Sequence, residues 1–154
     1  LLRHVRRCFN KGIVHGDGDP RDRDQGCVLF QEYLADASEW RIIRLGKSYF
    51  GHQKLKKGQF HSGSGKVGWY DPPKKLLNFV YEVTEKGNFT SMDIDIFETR
   101  DGRYLVNELQ SMFGSYLDYQ MLVDGRPGRY IYKPSTAGWI FEEGIFCRSN
   151  AKRL

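Results

Sequence analysis

The chain has 154 residues, 40% of them hydrophobic and 28% charged, a size and balance that fit one domain or part of a larger one. The apolar runs are a few residues long and the start, Leu1-Leu2-Arg3-His4-Val5-Arg6-Arg7, has no apolar leader region, so neither a membrane span nor a secretory signal is expected. The net charge of +5 favours an anionic partner, although much of it sits in Arg3, Arg6, Arg7 and in Lys54, Lys56, Lys57, Lys66, which read more readily as solvated faces.

In chain order, residues 2–10 predict a short basic helix, and His15 to Asp24 a polar loop whose acidic spacing lacks the twelfth-position acid of a calcium loop. Cys27–Leu34, Glu39–Leu45 and Ser48–Lys54 predict strands, the last two joined by a hairpin turn at Gly46-Lys47. Pro72-Pro73 opens a helix over Lys74–Lys86, with Leu76, Leu77, Val80, Tyr81 and Val83 as its apolar stripe and Gly87 as its stop. Strands follow at 91–98 and 103–110, then a helix from Ser115 to about Val123, a loop at Asp124–Gly128, and strand-like pieces at Tyr130–Tyr132 and Trp139–Phe141. The order predicts an α+β fold, an antiparallel sheet with helices packed on one side. Cys8, Cys27 and Cys147 are odd in number and far apart, which argues against a disulfide framework or a structural zinc site and predicts reduced thiols in a cytoplasmic protein.

Two hairpins carry the chemistry. With Asp101-Gly102 as the centre of the turn, Asp95 faces Glu108 and Asp93 faces Gln110 on one side of the sheet, while Ile94, Ile96, Leu105 and Leu109 face the core. Two carboxylates about 5 Å apart repel by roughly 3 kcal/mol at an effective dielectric of about 20. A divalent cation reverses that sign, and magnesium suits carboxylates completed by an amide oxygen, water and phosphate. About Gly46-Lys47 the same arithmetic puts Glu39, Arg41, His52 and Lys54 on one face, suited to a polyphosphate or, more simply, to a Glu39–Lys54 salt bridge.

Gln31-Glu-Tyr-Leu34, Glu39-Trp-Arg41, Asp93-Ile-Asp95-Ile, Asp101-Gly102 and Leu105-Val-Asn-Glu108-Leu-Gln110 together resemble the C-terminal lobe of the ATP-grasp enzymes, nearest to carboxylate–amine ligases such as ribosomal-protein glutamate ligases. The resemblance covers about residues 27–115. It implies that the backbone of Glu32, Tyr33 and Leu34 meets adenine, that Glu39 holds the ribose, and that Arg41 is the catalytic arginine on the terminal phosphate. Lys54 or His52 falls near a second phosphate-side base, and Asp95, Glu108 and Gln110 match the magnesium ligands, Gln110 standing where the family usually has Asn. The implied function is an ATP- and magnesium-dependent ligase that activates a carboxylate as an acyl phosphate for attack by an amine or thiol. The loop Phe60–Gly65 lacks the family's substrate-side Arg and Asn. The family's nucleotide-gripping lysines and Gly-rich flap have no counterpart before Cys27. Residues 1–154 are therefore expected to be one domain, the C-terminal part of an ATP-grasp domain and inactive by itself. Alternatives are a small-molecule kinase on the same fold, a non-catalytic nucleotide sensor, and a nucleic-acid-binding module using the basic surface with Tyr70, Tyr130 and Trp139 as stacking platforms.

Overall fold

A computed structural model describes residues 26, 31–59, 61, 64–112 and 119–146. The predicted basic helix, the polar loop, the first part of the strand at Cys27 and all three cysteines lie outside the described residues. The chain divides into two compact units, Leu1–Tyr33 and Leu34–Leu154. In the first, residues 31–33 carry no strand, with Glu32 and Tyr33 exposed; Leu34, in the second, carries none either. The described part of the expected hinge strand is thus irregular backbone.

The second unit is an antiparallel sheet with one α-helix and a short 3-10 turn, Pro134–Thr136, among its described residues. The strands are β1 (Ser38–Leu45), β2 (Ser48–Lys54), β3 (Val67–Gly68), β4 (Ser91–Glu98), β5 (Tyr104–Gln110), β6 (Leu122–Val123), β7 (Arg126–Lys133) and β8 (Gly138–Glu143). They are ordered β5–β4–β1–β2–β7–β6, with β3 on β2 and β8 on β7. The helix α1 spans Lys74–Lys86, the predicted bounds.

The sheet has two different faces, as expected when each strand alternates its side chains. One packs against α1: Trp40, Ile42, Tyr49, Met92, Ile94 and Ile96 form a single core with Leu76, Leu77 and Val80. Gly51 is required opposite Ile42, since a Cβ there would lie 2.2 Å from Ile42 Cδ1 and 2.9 Å from the Arg41 carbonyl oxygen. Arg44 pins the end of α1 to β1, donating to Thr84 Oγ1 at 2.9 Å and pairing with Glu85 at 2.6 Å. The aromatic end of the core is built by Tyr49 and Trp139, edge to face at 4.9 Å, with Trp139 Nε1 donating to Asn78 Oδ1 at 2.7 Å.

The hairpin β1–β2 has the predicted register, Glu39 opposite Lys54 and Arg41 opposite His52, and Gly46 takes the positive φ of 59° that its turn needs. In the hairpin β4–β5 the turn is one residue longer than predicted. Gly102, at φ 75°, closes a three-residue loop in which Thr99 N–H donates to Arg103 O and Gly102 N–H to Thr99 O. That shifts the register by one, so that Phe97 faces Leu105, and a bulge between Asp95 and Ile96 restores it, so that Asp95 faces Glu108 and Asp93 faces Gln110. The two offsets cancel where the acids lie.

Three expectations are corrected. Leu105 and Leu109 are exposed, at 37% and 44%: the shifted register sets Leu105 opposite Phe97, on the face away from α1, and Leu109, opposite Ile94, sits on a strand that pairs only with β4 among the described residues. Leu122–Val123 is a strand rather than the end of a helix: Asp124 and Gly125 at φ 51° and 74° form the two-residue turn with both φ positive that joins it to β7. The tail is also more regular than its strand-like pieces suggested, with Pro127 and Gly128 inside β7 rather than in a loop.

Replacing fully buried Ile94 by Ala is expected to cost about 2–5 kcal/mol of stability, whereas Leu109→Ala at the exposed edge should cost less than about 1 kcal/mol. Urea unfolding of the two variants checks this; equal losses would place Leu109 in the core after all.

Candidate functional site

The face of the sheet turned away from α1 carries the charge. β1 lies between β2 and β4, and its pairing with β4 sets Arg41 opposite Asp95, Glu39 opposite Phe97 and Ile43 opposite Asp93. Alternation then collects Glu39, Arg41, His52, Lys54, Asp93 and Asp95 on one surface. Glu39, His52, Asp93 and Asp95 are buried, which charged groups tolerate only when paired.

Asp95 is the hub. It accepts from Arg41 Nε at 2.9 Å and Arg41 Nη2 at 3.0 Å, the bidentate fork of a guanidinium on a carboxylate. It also accepts from Lys54 Nζ at 2.5 Å. Lys54 donates in addition to Glu39 Oε1 at 2.8 Å, so the simple cross-strand salt bridge is present, as one part of a larger network. Burial opposes the charge of Asp95, but the hydrogen bonds from Arg41 and Lys54 outweigh it and hold the carboxyl below its usual range. Burial likewise opposes the charge of Arg41, and Asp95 and Asp93 more than compensate.

Asp93 is in a different state. It is 1% exposed and neither of its oxygens has a hydrogen-bond partner. Arg41 Nε stands 3.1 Å from its Oδ2, but the one hydrogen on that nitrogen points to Asp95. Burial, opposed by Arg41 and reinforced by Asp95, pushes Asp93 up to about 7. His52, on the other side of Arg41, is driven down to about 4 by burial and by the charges of Arg41 and Lys54. Its ring is neutral near pH 7, set edge-on to Trp69 at 5.4 Å, with Nδ1 unpartnered.

Of the residues singled out in the sequence, Glu39, Arg41, Lys54 and Asp95 form one hydrogen-bonded cluster. Glu108 and Gln110 lie across β4 from Asp95 and Asp93, Glu108 exposed and Gln110 half-buried. Glu32 and Tyr33 belong to the first unit and Leu34 precedes β1 without joining the cluster. Among the described residues no three His, Cys, Asp or Glu side chains are placed to hold a metal ion; the oxygens of Asp95 are taken by Arg41 and Lys54. The donor types, carboxylates with one amide, are nonetheless the hard oxygens magnesium takes. A cavity of about 300 Å³ opens beside Lys54, lined also by Asp36, Ser38, Lys56 and His61. The ring of His61 is held in its wall, with Nδ1 2.8 Å from Lys54 O and Nε2 3.1 Å from Ala37 O. The stacking platforms are reduced to one: Tyr70 is 53% exposed and Tyr130 8%, the latter with its hydroxyl on Asp71, while Trp139 is half-buried and packed against the core.

The pairing of Arg41 with Asp95 and the isolation of Asp93 were missed in the sequence. The available signal was the complementary alternation of Glu39-x-Arg41 and Asp93-x-Asp95, which fits two strands lying side by side. No helix among the described residues is long and apolar enough to cross a membrane. Comparison of the chain with known protein families, with curated proteins and with solved structures finds no match.

The raised Asp93 gives a stability signature. The folded chain keeps the Asp93 proton up to about pH 7, whereas the unfolded chain releases it near pH 4. The folded state therefore binds more protons in that window, and stability falls as pH rises through it. Asp93→Asn removes this loss, so the variant should gain roughly 2–4 kcal/mol on the parent between pH 4 and pH 8. Denaturant unfolding at both pH values checks it; a difference that does not change with pH would mean Asp93 is ionised throughout.

Proposed function

We propose that the chain is the nucleotide- and metal-facing C-terminal lobe of an ATP-grasp enzyme that joins a carboxylate to an amine or thiol. The observation that carries this reading is the buried network of Glu39, Arg41, Lys54 and Asp95 on one sheet face, with Glu108 and Gln110 across the next strand. These are the positions at which the resemblance expects ribose, phosphate and magnesium contacts.

On this reading Arg41 and Lys54 bind the transferring phosphates and Glu39 the ribose. Asp95, Glu108 and Gln110 would hold magnesium, which when bound neutralises phosphate charge. A carboxylate oxygen of the acid substrate attacks the terminal phosphorus of ATP, and ADP leaves with the electrons of the broken bond. The acceptor amine or thiol then attacks the acyl carbon, phosphate departs and the acceptor loses its proton. Arg41 stabilises the charge that develops on the phosphoryl group.

The network also accounts for a metal requirement. The two acids, Glu39 and Asp95, balance the two cations, Arg41 and Lys54. An anion alone would draw off the cations and leave buried acids unpaired; a dication alone would do the reverse. Uncompensated buried charge costs several kcal/mol, whereas a dication and a polyphosphate arriving together leave none.

Titration calorimetry of the chain with a non-hydrolysable ATP analogue is expected to show binding that depends on magnesium. Glu108→Gln, at an exposed position that leaves the network intact, should weaken it roughly tenfold or more, on the scale of one lost charged ligand; Asp95→Asn should abolish it. Affinity indifferent to magnesium, or unchanged in Glu108→Gln, would overturn the assignment.

A further inference from the structure

A buried carboxylate with no hydrogen-bond donor calls for an explanation, and the surroundings of Asp93 supply one. Arg41 Nε lies between two acids, 2.9 Å from Asp95 Oδ1 and 3.1 Å from Asp93 Oδ2. It has one hydrogen to give, and a small rotation of the guanidinium redirects it. Both acids are on β4 and on the same face, each beside β1. Lys54 already holds two acids, Glu39 at 2.8 Å and Asp95 at 2.5 Å. Each cation that holds Asp95 therefore has another carboxylate within reach.

We propose that Asp93 is the positioning residue for Arg41, receiving its guanidinium when the Asp95 carboxylate is claimed by a bound cation. The hand-over frees Asp95 without leaving any buried cation unpaired: Lys54 stays on Glu39, and Arg41 turns on Nε toward Asp93. Its two terminal nitrogens then face away from Asp95 and are free for phosphate. The significance of the hand-over rests on the reading of Asp95 as a metal ligand; its occurrence is tested without metal or nucleotide.

The test follows exchange of the Arg41 Nε–H by nitrogen-edited nuclear magnetic resonance in the ligand-free chain, with circular dichroism confirming that each variant folds. Asp95→Asn mimics an Asp95 whose charge is occupied. Its Arg41 Nε–H is expected to stay protected, now on Asp93. Asp93→Val alone should also stay protected, through Asp95. The double variant Asp93→Val/Asp95→Asn should exchange on the order of tenfold faster or more, as a donor without a partner. Loss of protection in Asp95→Asn alone, or retained protection in the double variant, overturns the proposal. A second measurement compares the parent and Asp93→Val with magnesium and the ATP analogue bound. Arg41 Nε–H should be protected in the parent and exposed in the variant, and equal protection overturns the hand-over. Failure of the parent to bind the analogue would count against the proposed function, while the ligand-free comparison still decides the role of Asp93.

Discussion

The fork of Arg41 on Asp95 is the interaction on which the charged half of this molecule depends. It joins β1 to β4, strands separated in sequence by β2, β3 and α1, and it does so on the face that α1 does not cover. Lys54 reaches Asp95 from β2, so a single carboxylate ties three neighbouring strands together. Removing one member of a buried charged pair typically costs about 3–5 kcal/mol, because the other is left uncompensated. The sheet can carry four buried or half-buried charges here only because each neutralises another.

The opposite face imposes the complementary constraint. Ile42, Ile94 and Ile96 are wholly buried beneath α1, and the strict alternation of β1 and β4 means that any slip of one residue would exchange these side chains with Arg41, Asp93 and Asp95. The apolar face thus fixes the register of the charged face. This is why a site with unpaired polar atoms at Asp93 and His52 can be held in place: much of the energy that positions it comes from the other side of the sheet, joined by Ile43 and Phe50 buried on its own side.

What could be read in the sequence follows from the range of the interactions. The helix Lys74–Lys86 and the β1–β2 register were legible because Pro72-Pro73, Gly87 and Gly46 are local signals acting on their own neighbours. The Asp95–Glu108 pairing follows from a turn read one residue too short and a missed bulge whose effects cancel, so the register at the acids is right by an incorrect route. Leu105 is not in the core because the extra turn residue moves it to the other face, opposite Phe97, and Leu109 is not because alternation shows which face a residue takes but not whether anything covers it. Asp124-Gly125 carried the same turn signal as Asp101-Gly102, and it was passed over because Pro127 and Gly128 look like loop residues. The β1–β4 pairing, and with it the partner of Arg41, is long-range, and no local rule reports it.

The charge balance of the cluster gives Asp93 its meaning. With Glu39 and Asp95 set against Arg41 and Lys54, the network is neutral without Asp93, and burial keeps Asp93 protonated up to about 7. An ionised Asp93 would add an uncompensated negative charge to a site already in balance. It becomes useful only when a cation enters at Asp95 and the balance shifts by two positive charges. On the proposed reading, the cation takes Asp95 from Arg41, and Asp93 is the carboxyl placed to receive the displaced guanidinium. A residue that weakens the empty fold at neutral pH then stabilises the loaded one, as expected of strain kept at a functional site.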